Sequence, residues 1–251
     1  MKQRDRSEIM QWLNAQLQPE LFRDYGPNGL QVEGRLEVRK VVSGVTASLA
    51  LIEAAIEAEA DAILVHHGLF WRGQSGVVTG WMKQRLAKLL QHDINLIAYH
   101  LPLDAHARWG NNAQLGAQLG IATDTQRFGE QNLGWCGTVS EQPLGSWQAH
   151  VERVLGRAAV VVGDPRTSVR RVAWCTGGAQ GYFEAAIDAG VDVFLTGEIS
   201  EPQAHLARET GVAFMACGHH ATERFGAPAL AQAMADELGL AHQWIEVSNP
   251  A

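Results

Sequence analysis

The strongest constraint on the fold is a segment that occurs twice in the chain. Residues 52–67 read IEAAIEAEADAILVHH and residues 183–198 read FEAAIDAGVDVFLTGE, at a constant offset of 131 positions (183 − 52) and without a gap. Two flanking segments repeat in the same order: VRKVVSGV returns as VRRVAWCT, and INLIAYHLPLD returns as VAFMACGHHATE. A duplication of this length predicts two similar folding units.

Each copy has the pattern of a strand, a helix and a second strand. Residues 38–45 are apolar and β-branched, residues 49–60 place apolar side chains on one helical face, and residues 61–67 form a short apolar run. This alternation predicts an α/β fold: two similar α/β lobes from an internal duplication, with mixed sheets flanked by helices. The predicted lobes are residues 1–125 and 126–251, and they can interleave at their termini.

Imidazole and carboxylate side chains gather where the repeated strands end. Ligands of α/β sheets bind beyond the carboxyl ends of the strands, and His66 and His67 occupy that position in the first copy. The third repeated segment adds a histidine followed four residues later by an acid, once in each copy, at an offset of 119 (219 − 100). The candidates are His66, His67, His100, Asp104, Glu198, His219, His220 and Glu223.

This set of side chains favours a metal site. Imidazole with carboxylate suits Zn, Fe, Mn or Ni, whereas a calcium site uses carboxylate and carbonyl oxygens. The donors outnumber the four that one tetrahedral ion takes, which favours two ions about 3.5–4 Å apart. Consecutive residues of a strand point to opposite sides, so His66 and His67 can serve different ions, and Glu223 is the candidate bridge between them.

Some candidates keep a second interpretation. A single histidine at a strand end is more often a hydrogen-bonded core residue than a ligand, so the metal hypothesis depends on the matched set. Glu198 either orients an imidazole from behind or is an ordinary charged residue, and His220 is expected to be structural. The glycine-rich turn CTGGAQG is a possible anion cradle, and the asparagines of GNNAQLG are expected to cap a helix.

Composition narrows the class of protein and its compartment. Hydrophobic residues make up 46% of the chain and charged residues 19%, which is typical of a packed globular protein. The net charge of −7 disfavours duplex nucleic acid as a partner. Three separated cysteines with no C-x-x-C pair fit a reducing compartment, and no apolar run approaches the ~18 residues of a membrane span. We therefore expect a cytoplasmic protein.

Several long motifs resemble those of a known family. They are YGPNGLQVEG, VTASLALIEAA, ADAILVHHGLFW, INLIAYHLPLDAH, GNNAQLG, TGGAQ, TGE and GHHATE, and they run nearly from end to end. The sequence resembles the Nif-three-like dinuclear-metal proteins, commonly labelled GTP cyclohydrolase I type 2 homologs. The resemblance implies two α/β lobes and a toroidal homohexamer whose metal pairs face an internal cavity.

The same resemblance assigns roles to individual residues. It implies two divalent metal ions per chain, Zn, Fe, Mn or Ni, with the ligands His66, His67, Asp104, His219 and Glu223. His100 matches a further histidine beside the pair, either a ligand or a proton-transfer group, and is the catalytic candidate. The segment TDTQRFGEQNLGWCG fits the family pattern poorly, and the large inserted domain of some relatives is missing.

The leading functional hypothesis is a metal-dependent hydrolase acting on a nucleotide or a related small molecule. Two divalent ions can lower the pKa of a water molecule toward neutrality and polarise a substrate, and the family label points to the guanine ring of GTP. The alternative is a non-catalytic, metal-binding hexameric regulatory or interaction protein. Single-stranded nucleic acid passing through a ring is a third hypothesis, which the negative charge disfavours, and no membrane partner is expected.

Overall fold

The computed structural model describes residues 2–251. Its strands, numbered along the chain, are β1 (Arg4–Asp5), β2 (Gly29–Val32), β3 (Glu37–Val38), β4 (Lys40–Thr46), β5 (Ala62–His67), β6 (Asn95–Ala98), β7 (Ala122–Phe128), β8 (Gly134–Pro143), β9 (Val160–Val162), β10 (Ser168–Trp174), β11 (Val193–Thr196), β12 (Ala213–Ala216) and β13 (Ala241–Trp244). Its α-helices are α1 (Arg6–Leu17), α2 (Leu49–Glu57), α3 (Gly80–Gln91), α4 (Leu101–Ala105), α5 (Asn111–Gln118), α6 (Leu144–Leu155), α7 (Phe183–Asp188), α8 (Glu201–Thr210), α9 (His219–Glu223) and α10 (Gly226–Leu238).

The chain forms two compact units. Unit 1 comprises Met1–Gly110 and Gly226–Ser248, and unit 2 comprises Asn111–Phe225 and Asn249–Ala251. The chain therefore leaves unit 1 after Gly110 and returns to it at Gly226. The predicted lobes, 1–125 and 126–251, stay a prediction.

Unit 1 is built on a five-stranded mixed sheet in the order β13-β4-β5-β6-β2. The first four of these strands are parallel, and β2 runs antiparallel to β6. One face of the sheet packs against α1 and α10 in a cluster that includes Leu13, Leu64 and Leu230. The other face packs against α2 and α3 in a cluster that includes Ile52 and Ile63. Cover on both faces explains why β5 is apolar at its first four positions, Ala62 to Val65.

Unit 2 is built on a six-stranded mixed sheet in the order β7-β8-β10-β11-β12-β9. The central strands β10, β11 and β12 are parallel, and the outer strands pair antiparallel. A cluster with α5 and α6 buries Trp147 and Trp174. A second cluster joins Phe183 of α7 to Phe194 and Phe214, with ring centroids 4.9–6.0 Å apart. The segment that fits the family pattern poorly thus supplies β7 and part of β8, the strands at one edge of this sheet.

The two sheets confirm the predicted fold class of mixed α/β sheets flanked by helices. The repeated strands also pair in the same register, since Val41 lies opposite Ala62 in unit 1 and Val172 lies opposite Val193 in unit 2. Val172 follows Val41 by 131 positions, and Val193 follows Ala62 by the same number. This agreement supports the internal duplication, which stays a prediction. No helix within residues 2–251 is long and apolar enough to cross a membrane.

Candidate metal centre

In unit 1, β5 ends in two adjacent histidines that are each held at Nδ1. Nδ1 of the fully buried His66 lies 3.1 Å from the backbone oxygen of Tyr99. Nδ1 of His67 lies 3.1 Å from Oγ1 of Thr46, which ends the neighbouring strand β4. A carbonyl oxygen can only accept, so Nδ1 of His66 donates and Nε2 carries the lone pair. The two rings lie side by side, with centroids 4.5 Å apart.

Two further predicted residues join this pair within unit 1. His100 follows β6 and precedes the short helix α4, and one ring nitrogen from each of His66, His67 and His100 lies within 4.8 Å of the other two. Asp104, on α4, places Oδ1 3.5 Å from Nε2 of His66. The strand ends therefore bring together the four first-copy residues that the sequence singled out.

A further residue of this cluster, Asp24, was not predicted from the sequence. Its carboxylate is buried and accepts a hydrogen bond from Nδ1 of His100 at 2.6 Å. Burial by itself raises the pKa of Asp24, but the hydrogen bond and charge of His100, with hydrogen bonds from Asn28 and Tyr25, lower it below its usual value. Asp24 directly precedes the motif YGPNGLQVEG, so its proximity to that motif was the available signal.

In unit 2, the matched residues meet at the start of α9. Nε2 of His219 lies 3.1 Å from Oε2 of Glu223, and Nδ1 lies 2.6 Å from Oε1 of Glu198. Burial by itself lowers the pKa of His219, but the hydrogen bonds and negative charges of Glu223 and then Glu198 raise it to about 9. Of the two interpretations left open for Glu198, the geometry favours the residue that orients an imidazole.

The glycine-rich turn after β10 packs directly against these ligands. Gly177 has a φ of 70°, and a Cβ there would collide with Oε1 of Glu223. The turn is fixed by Thr222, whose Oγ1 accepts from the amide of Gly177 at 3.0 Å, and by Thr196, whose Oγ1 donates to its carbonyl at 3.0 Å. The turn thus lies directly against the carboxylate of Glu223, and its role as an anion cradle stays a prediction. Asn112 ties α5 to the same turn by accepting from the amide of Thr176.

The distances between donor atoms fit a metal ion. Two donors each bound to one ion at about 2.1 Å lie roughly 3.0–3.4 Å apart for bond angles of 90–109°. The separation of 3.1 Å for His219 and Glu223 falls within this range, and that of 3.5 Å for His66 and Asp104 lies just above it. Imidazole nitrogen with carboxylate oxygen is also a donor set that Zn, Fe, Mn and Ni accept.

Comparisons with known proteins match nearly the whole chain. The family model Duf34/NIF3 (NGG1p interacting factor 3) matches residues 4–250. A protein of Neisseria meningitidis serogroup A, called GTP cyclohydrolase 1 type 2 homolog, is 56% identical over 247 residues, covering 98% of this chain and 99% of its own.

Two solved structures extend the likeness to the fold. The protein ybgI, described as of unknown function, is 45% identical with a TM-score of 0.94, covering 99% of this chain and 100% of its own. TTHA1606 from Thermus thermophilus is 34% identical with a TM-score of 0.86, covering 99% of both chains. The family resemblance of the sequence motifs is confirmed.

Proposed function

The chain belongs to the Duf34/NIF3 family, and we propose that it is a dinuclear-metal hydrolase acting on a nucleotide or a related small molecule. One observation carries the proposal: Nδ1 of each of the three histidines proposed as ligands, His66, His67 and His219, lies 2.6–3.1 Å from an oxygen. Metal-binding histidines almost always donate this second nitrogen to an outer acceptor, which fixes the ring. The name carried by the Neisseria relative supports a nucleotide as substrate.

We propose further that each chain holds two divalent ions, with His66, His67 and Asp104 as the ligands of unit 1 and His219 and Glu223 as the ligands of unit 2. The matched positions of these residues in the repeat support this assignment.

Divalent ions bound there would polarise the substrate and make a water molecule more acidic. The side chains and backbone of the protein would balance the charge of the ions and orient the ligands. The buried carboxylates of Asp104 and Glu223 neutralise cationic charge, and the carbonyl of Tyr99 holds the ring of His66 at a fixed angle. His100 is the catalytic candidate, because among the rings of His66, His67 and His100 it is the one whose Nδ1 is hydrogen-bonded to a buried carboxylate.

Metal analysis tests the site. Purified protein should contain about two equivalents of a transition metal per chain, and His67→Ala and Glu223→Ala should each lower that figure. His205→Ala is the matched control, because His205 pairs with Glu201 at the same four-residue spacing as His219 and Glu223 but on exposed α8. Unchanged metal content in both site variants would overturn the assignment.

Turnover separates the hydrolase from the alternative, a non-catalytic metal-binding hexameric protein. We expect hydrolysis of GTP or of 4-nitrophenyl phosphate by the metal-loaded protein and its loss in EDTA, with the oligomer retained. A protein that turns over neither probe and falls apart on chelation would instead use its ions for structure.

The oligomeric state can be measured on the same purified protein, and we propose that it is a homohexamer. Self-association is supported by three exposed apolar side chains on and before α3, Val77, Val78 and Trp81. Light scattering should give six times the mass of one chain.

We propose that the protein works in the cytoplasm, where the buried thiols of Cys136 and Cys217 stay reduced.

A further inference from the structure

The carboxylate of Asp24 is fully engaged around His100. Oδ1 accepts from Nδ1 of His100 and from the amide of Tyr25, both at 2.6 Å. Oδ2 accepts from the amide of Leu101 at 2.9 Å and from the side-chain amide of Asn28 at 2.8 Å. The side chain of Asp24 is only 4% exposed. A buried carboxylate with four donors keeps its charge and its orientation.

These contacts determine which nitrogen of His100 carries the proton. An ionised carboxylate only accepts, so Nδ1 must be the donor, and the lone pair of the neutral ring is then on Nε2. Neighbouring groups limit any rotation of the ring. Asn28 accepts from the amide of His100 at 2.7 Å, and the ring packs edge-on against Trp71, with centroids 5.0 Å apart and an angle of 89°.

A comparison of the two copies distinguishes His100 from the proposed ligand His219. Both have Nδ1 2.6 Å from a carboxylate, but they differ at Nε2. Nε2 of His219 faces Glu223, the acid four residues later. In unit 1 the corresponding acid, Asp104, lies against Nε2 of His66 instead. The acid four residues after His100 therefore lies beside His66 and not beside His100. This arrangement suits a role for His100 as a proton acceptor better than a role as a ligand.

The repeat also explains why the carboxylate has to come from a distant loop. At the offset of 131, the position of Glu198 is occupied by His67 in the first copy. A strand-end carboxylate is thus not available to His100. Asp24, 76 positions away in sequence, takes its place at the same distance from Nδ1.

We propose that Asp24 is a positioning residue that makes Nε2 of His100 the proton acceptor in the proposed hydrolysis; this inference depends on the proposed function. A water molecule gives one proton to Nε2 while its oxygen forms the new bond to the electrophilic atom of the substrate. The resulting imidazolium is stabilised by Asp24, which stays ionised. The bond to the leaving group then breaks, Nε2 returns the proton to that group, and the protein regains its starting protonation.

The state of the ring is testable without turnover. Magic-angle-spinning NMR of 15N-histidine-labelled protein, assigned by comparison with His100→Gln, should show a protonated Nδ1 and an unprotonated Nε2. Asp24→Asn should abolish or mix this tautomer. Arg72→Ala is the control, because Arg72 binds only the backbone oxygen of Asp24 and its loss should leave the tautomer intact. A protonated Nε2 in the unaltered protein would overturn the proposal even if the Asp24 variant failed to fold.

Metal content and kinetics separate positioning from ligation. Asp24→Asn should keep its metal and lose about 10²–10⁴-fold in kcat with little change in KM, and Asp24→Glu should recover part of the loss. Glu198→Gln, which removes the equivalent carboxylate from a proposed ligand, should instead lower metal affinity about 10–100-fold. Loss of metal from Asp24→Asn to the same extent would overturn the proposal and make His100 a ligand. Absence of turnover in metal-loaded unaltered protein, with the predicted tautomer present, would reject the hydrolase and leave the positioning of His100 supported.

Discussion

Glycine at position 177 lets a backbone turn approach a buried carboxylate. Its φ of 70° is strained for any side chain, and its Cβ position coincides with the space of Oε1 of Glu223. The geometry of the proposed ligand pair in unit 2 thus depends on a residue that binds nothing itself.

Gly177→Ala should therefore reduce metal binding. The methyl group must displace Glu223 or distort the turn, so we expect metal affinity to fall at least tenfold and the free energy of unfolding to fall by about 1–3 kcal/mol. Gly181→Ala is the control, because a Cβ there meets no atom within 4 Å. Competition with a chromophoric chelator gives the affinity; equal values for the two variants would show that Glu223 does not need this turn.

At the same scale, the candidate ligands could be predicted from the sequence, but the residues that hydrogen-bond to them could not. His66, His67 and Asp104 could be predicted because they follow apolar runs of strand length, and strand ends converge. Thr46 could not be predicted, and Asp24 had only its place beside a motif as a signal, since a hydrogen bond between residues far apart in sequence leaves no local periodicity. The short polar stretch around Asp24 has the composition of any turn.

At the scale of the element, an aspartate binds two amides near the amino end of the first repeated strand in each unit. Oδ2 of Asp61 accepts from the amides of residues 39 and 40 at 2.8 and 3.1 Å. Oδ2 of Asp192 accepts from those of residues 170 and 171 at 2.9 and 2.7 Å. The pairing of β4 with β5 and of β10 with β11 is therefore stabilised near its amino end by the aspartate that precedes the second strand.

Asp61→Ala and Asp192→Ala should each destabilise the protein, because two strand amides lose their acceptor. We expect about 1–3 kcal/mol for Asp61, which is buried and also pairs with Arg35, and less for Asp192, which is partly exposed. Urea unfolding measures both. Asp188→Ala, at the exposed end of α7, should change stability by less than about 0.5 kcal/mol, and an equally small effect at Asp61 would contradict the prediction.

His242 makes the edge strand β13 sensitive to acid. Its ring joins Ser43 of β4 and Gln232 of α10 at 2.8 and 3.0 Å. Burial lowers the pKa of His242 below its usual value, although the charge of Asp236 opposes this. The unfolded chain then takes up the proton first, so stability is complete above pH ~6.5 and decreases as the pH falls from there toward the folded pKa.

His242→Gln should lose this component of the acid sensitivity. The substitution should cost stability at pH 7.5, and the difference from the unaltered protein should narrow as the pH falls to 5, with a slope of at most about 1.4 kcal/mol per pH unit. Urea unfolding at several pH values measures it. A constant difference across this range would show that the ring of His242 does not change its pKa on folding.

For the whole molecule, the repeat predicted two α/β units with mixed sheets, but local patterns did not show which strands share a sheet. β13 lies nearly 200 positions after β4 and pairs with it in parallel, and α10 packs on the same sheet. Periodicity reports how a segment buries its side chains, and it carries no information about which open sheet edge a late strand joins. The contribution of residues 226–248 to unit 1 therefore appears only in the structure.

Metal binding should stabilise the part of the fold that supplies the ligands. Ligand binding stabilises the folded state by about 2.7 kcal/mol at a free concentration one hundred times Kd. We expect metal to slow amide hydrogen exchange in β5, the strand that ends in His66 and His67. His67→Ala should remove this metal-dependent protection of β5, while His205→Ala, at an exposed histidine of α8, should preserve it. Metal protection of β5 that survives His67→Ala would show that His67 is not a ligand, because the loss of a ligand must weaken the binding that protects the strand.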